Sequence, residues 1–343
     1  METIRIGVIG AGGNTRGRHI PLLKEIEGVE VVVVCNRTRE SGERAARECE
    51  VPEVMTDWRA LVGRDDLDAI VIGTWPYMHA PMTIAALEAG KHVLCEARMA
   101  MNLAEAQAML ETARRTGLVA QIVPSPNMLR AHPLLTKLLV EEKIVGQVRE
   151  IYVRSLTPGS IDPNAPLHWR QRRDRSGLNV LDLGIVYEML ARYLGHARAV
   201  SAQVRTWTTQ RRDPETGEMR PADVPETVQL TAEMESGALA VFHHSSVAAF
   251  SGSPRVEIYG SEGTLVLDIP REKVLGARLG DDDLNEIEIP PELEGGWRVE
   301  RDFIESIREG KPVTLTPFEE GVRYMAFTEA VHVSALTGRR VTL

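Results

Sequence analysis

The chain has 343 residues, of which 43% are hydrophobic and 26% charged, with a formal net charge of −9. That length predicts two domains with substantial cores, and the acidic balance argues against nucleic acid as the main partner. No apolar run approaches the roughly 18 residues a membrane-spanning helix needs, and no charged and apolar leader opens the chain, so a soluble, cytoplasmic protein is expected. Cys35, Cys49 and Cys95 follow no disulfide or metal spacing, which fits a reducing compartment.

Ile4 to Ile9 reads as a short buried strand that runs into Gly10-Ala11-Gly12-Gly13-Asn14-Thr15, followed by a helical stretch from about Arg18 to Glu27. Strand, glycine turn and helix together form the setting of a dinucleotide-binding fingerprint. Gly10 permits the turn, and Gly12, Gly13 and Asn14 bring free backbone N–H groups toward a pyrophosphate at a helix start. Thr15 occupies the third small position, a departure that weakens helix–strand packing.

A second strand, Val29 to Cys35, ends at Asn36-Arg37-Thr38-Arg39, 24 residues beyond Gly12 at Asn36. The acid that holds an adenosine ribose is missing, and arginine suits a 2′-phosphate, so NADP(H) is expected in preference to NAD(H). Two further strands, Ala69 to Gly73 and His92 to Cys95, end in Thr74-Trp75-Pro76-Tyr77-Met78-His79 and in Glu96. Strands alternating with helices predict a doubly wound parallel sheet whose ligand sits at the strand carboxyl ends, which nominates Thr74, Trp75, His79 and Glu96 as cofactor neighbours.

These segments resemble the Gfo/Idh/MocA family of oxidoreductases. The likeness runs through Thr74 to His79, Ala86 to Val93, Glu96-Ala97-Arg98, Asp182 to Val186, Val256 to Gly263 and Asp302 to Ile307. It implies an N-terminal Rossmann domain, a C-terminal α+β domain with a large, mostly antiparallel open sheet, and a homo-oligomer paired through that sheet. Members carry a lysine and a histidine that move the alcohol proton; here those positions are Ala97 and Val186, neither of which exchanges protons.

Replacements are sought nearby. Asp182 shares a helix face with Val186 and offers a carboxylate, its bland reading being a helix-start acid. Arg98 is always cationic and suits a carboxylate or a polarised carbonyl, or else pairs at the strand end. Tyr187, turned by about 100° from Val186, is expected in the core. His168-Trp169-Arg170, opening an arginine-rich loop that continues to Arg175, is the candidate substrate contact for an anionic or sugar-like small molecule, against a solvated face or subunit contact. His243 and His244 alternate on a strand and face opposite ways, so no metal site is expected.

Pro124, Pro126 and Pro133 mark a boundary, giving a dinucleotide-binding domain over 1–123 and a substrate and oligomerisation domain over 124–343. Arg211 to Pro225 reads as a mobile polar loop. Three functions fit: an NAD(P)-dependent sugar or polyol oxidoreductase with a non-standard proton-transfer group, a catalytically silent dinucleotide-binding sensor or partner subunit, and a redox-assisted sugar lyase or hydrolase.

Overall fold

The structure is a computed structural model that describes residues 3–343. The chain divides into two compact units, residues 1–124 with 298–322, and residues 125–297 with 323–343. The first unit thus takes in 298–322 as well as the N-terminal stretch up to Pro124. Helix Val299–Glu309 buries Val299, Phe303 and Ile304 there. Its Arg308 donates to the carbonyls of Glu27 at 2.6 Å and Gly28 at 3.1 Å, and Ile122 N–H donates to Thr316 O at 3.0 Å. An amphipathic helix carries no local signal of which sheet it covers, so its sequence position misleads.

In the first unit, β1 (Ile4–Ile9), β2 (Val29–Cys35), β3 (Glu53–Met55), β4 (Ala69–Ile72), β5 (His92–Cys95) and β6 (Ala120–Ile122) form a parallel sheet in the order β3-β2-β1-β4-β5-β6. β4 is buried throughout and β1 and β2 nearly so, as strands covered on both faces must be. The winding reverses at β1, where β2 lies on one side and β4 on the other. The loops after β1 and β4 therefore diverge and open a crevice. The expected helix from Arg18 is instead a π-type turn, Thr15–His19, followed by a short α-helix, Ile20–Lys24. Pro21 has no N–H to give Gly17, so an ordinary α-helical ladder cannot run through this segment.

The second unit holds β7 (Val148–Leu156), β8 (Ala197–Arg205), β9 (Gln210–Arg212), β10 (Met219–Pro221), β11 (Thr227–Met234), β12 (Leu239–Ser245), β13 (Arg255–Gly260), β14 (Gly263–Asp268), β15 (Lys273–Arg278), β16 (Asn285–Ile287) and β17 (Val341–Thr342). Nine of them form one sheet, β16-β15-β14-β13-β7-β12-β11-β8-β17, antiparallel except where β12 runs parallel to β7. Helix Leu183–Leu194 covers one face with Val186, Tyr187 and Leu190 buried, and the Tyr187 ring stacks on Phe327 at 3.7 Å between centroids. On the other face, Tyr152, Leu239, Val241 and Tyr259 remain exposed.

The segment expected to be a mobile loop from Arg211 is ordered: β9 and β10 pair as a hairpin. Arg211 is 1% exposed and donates to Asp162 O at 2.7 Å, Ser160 O at 2.8 Å and Glu226 Oε1 at 3.0 Å. One buried guanidinium satisfies the carbonyls of a neighbouring loop that no strand ladder reaches, and local composition does not reveal it.

Candidate functional site

The crevice of the first unit is a cavity of about 290 Å³ lined by the glycine turn, by Arg16, Asn36, Arg37, Ser41 and Arg44, and by Thr74, Trp75 and Tyr77. Gly10 takes φ +83°, and a Cβ there would lie 2.7 Å from Thr74 N, so only glycine allows the turn. A Cβ on Gly12 would meet nothing closer than 3.8 Å, and one on Gly13 nothing within 4 Å. Space above both glycines suits the backbone-to-pyrophosphate approach of a bound dinucleotide. Asn36, at the end of β2, accepts from Ala11 N–H at 2.8 Å and so braces the turn through its side-chain oxygen.

Thr15 does not loosen this arrangement. It is 1% exposed and its hydroxyl donates to Gly10 O at 3.3 Å. Room for it comes from Gly73, where any Cβ would overlap Thr15 Oγ1. The small residue the motif requires has moved from the helix to the end of β4.

Behind the turn lies a polar cluster of which the sequence reading had only two members, Asn14 and Glu96. His19 is fully buried, with Nδ1 2.5 Å from Glu300 Oε1 and Nε2 3.0 Å from Glu96 Oε1. The Asn14 side-chain amide also donates to Glu96 Oε1, and Ala97 N–H donates to Glu96 Oε2 at 3.2 Å. Burial opposes charge on the ring, but the two carboxylates outweigh it and push His19 up to about 9. Burial likewise opposes charge on Glu96, yet the His19 cation holds that carboxyl below its ordinary value. His19 and Glu300 are 281 positions apart, so no spacing pattern could have joined them.

His79, nominated as a cofactor neighbour, is instead buried with Nδ1 and Nε2 each 2.9 Å from the carbonyl oxygens of Arg98 and Thr74. The ring lies between the ends of β4 and β5, and burial lowers its pKa below the ordinary value. Arg98 is only 7% exposed.

In the second unit, Asp182 precedes helix Leu183–Leu194 but makes no side-chain cap. Its Oδ1 accepts from His244 Nδ1 at 2.7 Å and its Oδ2 from Ser155 Oγ at 2.5 Å. Burial works against the carboxylate, but the His244 and Ser155 donors keep its pKa below the ordinary value. The alternation expected for β12 is present. His243 lies on the opposite face, 3.2 Å from Gln229 Nε2, and His244 is fully buried. The sequence missed His244 and Ser155 because only the pairing of β7 with β12, which sets Ser155 opposite His244, brings them together.

Within the arginine-rich loop, Arg172 and Arg175 are paired with carboxylates of the same unit. Arg172 reaches Asp174 at 2.7 Å and Asp213 at 3.3 Å, and Arg173 N–H donates to Asp223 at 2.7 Å. Arg170 stacks over Trp169 at 4.4 Å, while His168 Nδ1 accepts from Arg170 N–H at 3.3 Å. The guanidinium of Arg172 is thereby directed at carboxylates of its own unit, as a solvated face requires.

Among the described residues, no helix is long and apolar enough to cross a membrane, and no group of three or more His, Cys, Asp and Glu is placed to hold a metal. Residues 4–123 match the model of the oxidoreductase family with an NAD-binding Rossmann fold, and residues 134–266 match the GFO/IDH/MocA C-terminal domain. The chain is 27% identical to levoglucosan dehydrogenase of Pseudarthrobacter phenanthrenivorans, over 88% of this chain and 87% of that protein. It is also 27% identical to 1,5-anhydro-D-fructose reductase of Ensifer adhaerens, over 98% and 97%. The solved structure of levoglucosan dehydrogenase with NADH and L-sorbose is similar at a TM-score of 0.87 and 26% identity, over 100% of this chain and 99% of that one. With both domain models matched in order and the Rossmann and open-sheet architectures in place, the chain belongs to the Gfo/Idh/MocA family of oxidoreductases.

Proposed function

We propose that the chain is an NADP(H)-dependent oxidoreductase that moves hydride between the nicotinamide and a hydroxyl-bearing or carbonyl carbon of a sugar, polyol or related substrate. The observation that carries this reading is the crevice at the β1/β4 switch point, where the glycine turn faces Arg37, Ser41 and Arg44. Gly12 would leave room for the pyrophosphate and the amides of Gly13 and Asn14 would hold it, while Arg37 with Ser41 and Arg44 would receive the 2′-phosphate. A bound nicotinamide supplies the hydride acceptor or donor. The hydroxyl proton is handled at Asp182, whose side chain is partly exposed, with Arg98 supporting the end of β5. His168, Trp169 and Arg170 contribute to the substrate side, and the sugar class follows the levoglucosan and anhydrofructose relatives. The exposed apolar face of the large sheet is the surface through which copies pair. Three unpaired cysteines fit a cytoplasmic setting.

Calorimetric titration of nucleotide-stripped protein tests the cofactor reading. NADP(H) is expected to bind about 10–100-fold more tightly than NAD(H), the yield of one or two hydrogen bonds to a charged group. Arg37→Ala and Arg44→Ala should each remove most of that preference while leaving NAD(H) affinity nearly unchanged. Equal affinities, or tighter NAD(H), would refute it. The vacancies at Ala97 and Val186 favour a silent dinucleotide binder as the second reading. Stoichiometric oxidation or reduction of nucleotide with levoglucosan, 1,5-anhydro-D-fructose or L-sorbose would eliminate that reading.

A further inference from the structure

The glycine turn of the crevice and the buried cluster behind it share one residue. Asn14 is the N-cap of the turn Thr15–His19, yet its side chain makes no cap. An asparagine in that position ordinarily accepts from the N–H groups of the turn it opens. Here the side-chain amide turns to the cluster instead: Nδ2 donates to Glu96 Oε1 and lies 3.3 Å from His19 Nε2. His19 is fully buried, with Nδ1 2.5 Å from Glu300 Oε1 and Nε2 3.0 Å from Glu96 Oε1. All four residues belong to the first unit, and Asn14 follows directly on the Gly10-Ala11-Gly12-Gly13 turn whose Gly10, Ala11 and Gly12 line the crevice.

The charge of the cluster depends on a single proton. With His19 as an imidazolium both ring nitrogens donate, one to each carboxylate, and one cation against two carboxylates leaves a single net negative charge. The Nδ1 contact is the shorter, so the neutral ring keeps that proton and turns a bare Nε2 lone pair toward the Glu96 carboxylate and the Asn14 amide. Loss of the proton therefore adds a negative charge behind the turn and redraws the hydrogen bonds of one of its residues. Burial opposes charge on the ring, but Glu300 and Glu96 outweigh it and push His19 up to about 9, so the proton comes off in alkaline solution. The neighbouring charges do not titrate in its place. Arg16 and Arg18 on the same turn stay cationic, Arg16 pairing with Glu48 at 2.5 Å. Arg298 pairs with Asp302 at 3.4 Å at the start of the helix that carries Glu300, and His79, which also acts on Glu96, is pushed below its ordinary value by burial.

We propose that dinucleotide binding at the glycine turn is linked to the proton on His19, so that the chain binds the pyrophosphate with the imidazolium in place and takes up a proton when it binds in alkaline solution. His19 is on this account a positioning residue for the cofactor, acting through Asn14 and Glu96. The proposal rests on the dinucleotide reading of the crevice and deepens it. A second uncompensated carboxylate behind the turn repels the negative charges of a pyrophosphate, so the protonated cluster is the tighter binder. Reciprocity then requires that His19 hold its proton more tightly, by the same factor, when the nucleotide is bound. The only bond made is N–H: solvent gives up the proton, His19 Nε2 takes it, and it returns to solvent when the nucleotide leaves. Well below 9 the ring is protonated in the free and the bound chain alike and affinity is flat; affinity declines only as the pH rises through 9.

The test titrates the whole chain with NADPH from pH 7.5 to pH 10, by calorimetry in paired buffers of different ionisation enthalpy, and follows the ¹⁵N titration of His19 with and without NADPH. Binding should raise the His19 titration by about one pH unit, a coupling within the usual range for linked sites. The same coupling makes NADPH bind about fivefold more weakly at pH 10 than at pH 7.5, with an uptake of about half a proton near pH 9.5. Glu300→Gln removes one of the two carboxylates that keep the ring charged. It should move the His19 titration and the break in NADPH affinity to lower pH by the same interval, into a range where the fold is under no alkaline stress. His19→Gln has no proton to exchange in this range and should bind NADPH with an affinity independent of pH. A His19 titration that NADPH leaves in place, equal affinities at pH 7.5 and pH 10, or an affinity break that stays put while Glu300→Gln moves the titration would overturn the linkage. If NADPH binds at no pH, the dinucleotide reading falls and the linkage with it, whereas binding without proton uptake removes the linkage alone.

Discussion

Replacing His19 with alanine is expected to cost about 3–5 kcal/mol of folding stability, because it removes the cation from a buried cluster and leaves two carboxylates facing each other. Glu300 is 2% exposed at the side chain and Glu96 17%, so water cannot take over the lost role. The effect has a pH signature of definite sign. His19 is raised from 6.5 to about 9 in the folded chain, so its contribution is complete below about 6.5 and disappears as the pH climbs through 9. A shift of that size corresponds to something on the order of 3 kcal/mol for this fully buried ring. Urea midpoints of wild type and His19→Ala, compared from pH 6 to pH 10, should converge at the alkaline end. A gap below about 1 kcal/mol at pH 6, or one that does not narrow, would show that the cluster is not held by an imidazolium.

The same cluster marks where sequence reading stops. Parallel strands buried on both faces announce themselves by apolar runs, so β1, β2, β4 and β5 and the glycine turn between β1 and the following helix are legible from local pattern. The alternation of the second unit was equally plain, and it placed His243 and His244 on opposite faces. What alternation cannot supply is the identity of a neighbour across the sheet. His244 acquires its meaning from Asp182, 62 positions earlier, and from Ser155 on the adjoining strand. Glu300 reaches His19 only because a late helix rejoins the first unit. Arg211 looked like loop polarity because the carbonyls it satisfies, those of Ser160 and Asp162, lie some fifty positions away. In each case the missing information is a long-range polar contact, and buried polar groups are those whose partners must be known before their role can be read.

The second large effect is expected at Gly73, where a single methyl group should disable the cofactor pocket. A Cβ added there would overlap Thr15 Oγ1 and lie 2.5 Å from Gly10 O. Gly10 O also takes the Thr15 hydroxyl and the Gly12 N–H, the latter at 2.8 Å, so displacing that carbonyl moves the turn that carries the pyrophosphate amides. Overpacking of this kind costs about 1–3 kcal/mol, and strain of that size concentrated at the binding loop corresponds to roughly a 100-fold loss of nucleotide affinity. Thr15→Gly in the Gly73→Ala background removes the side-chain clash but not the one with the Gly10 carbonyl, so it should recover only part of the loss. The two substitutions are therefore coupled, and a double-mutant cycle on NADPH affinity measures the coupling directly. If Gly73→Ala binds NADPH within about threefold of wild type, the turn is more compliant than its contacts imply, and Thr15 does not depend on Gly73 for its place in the motif.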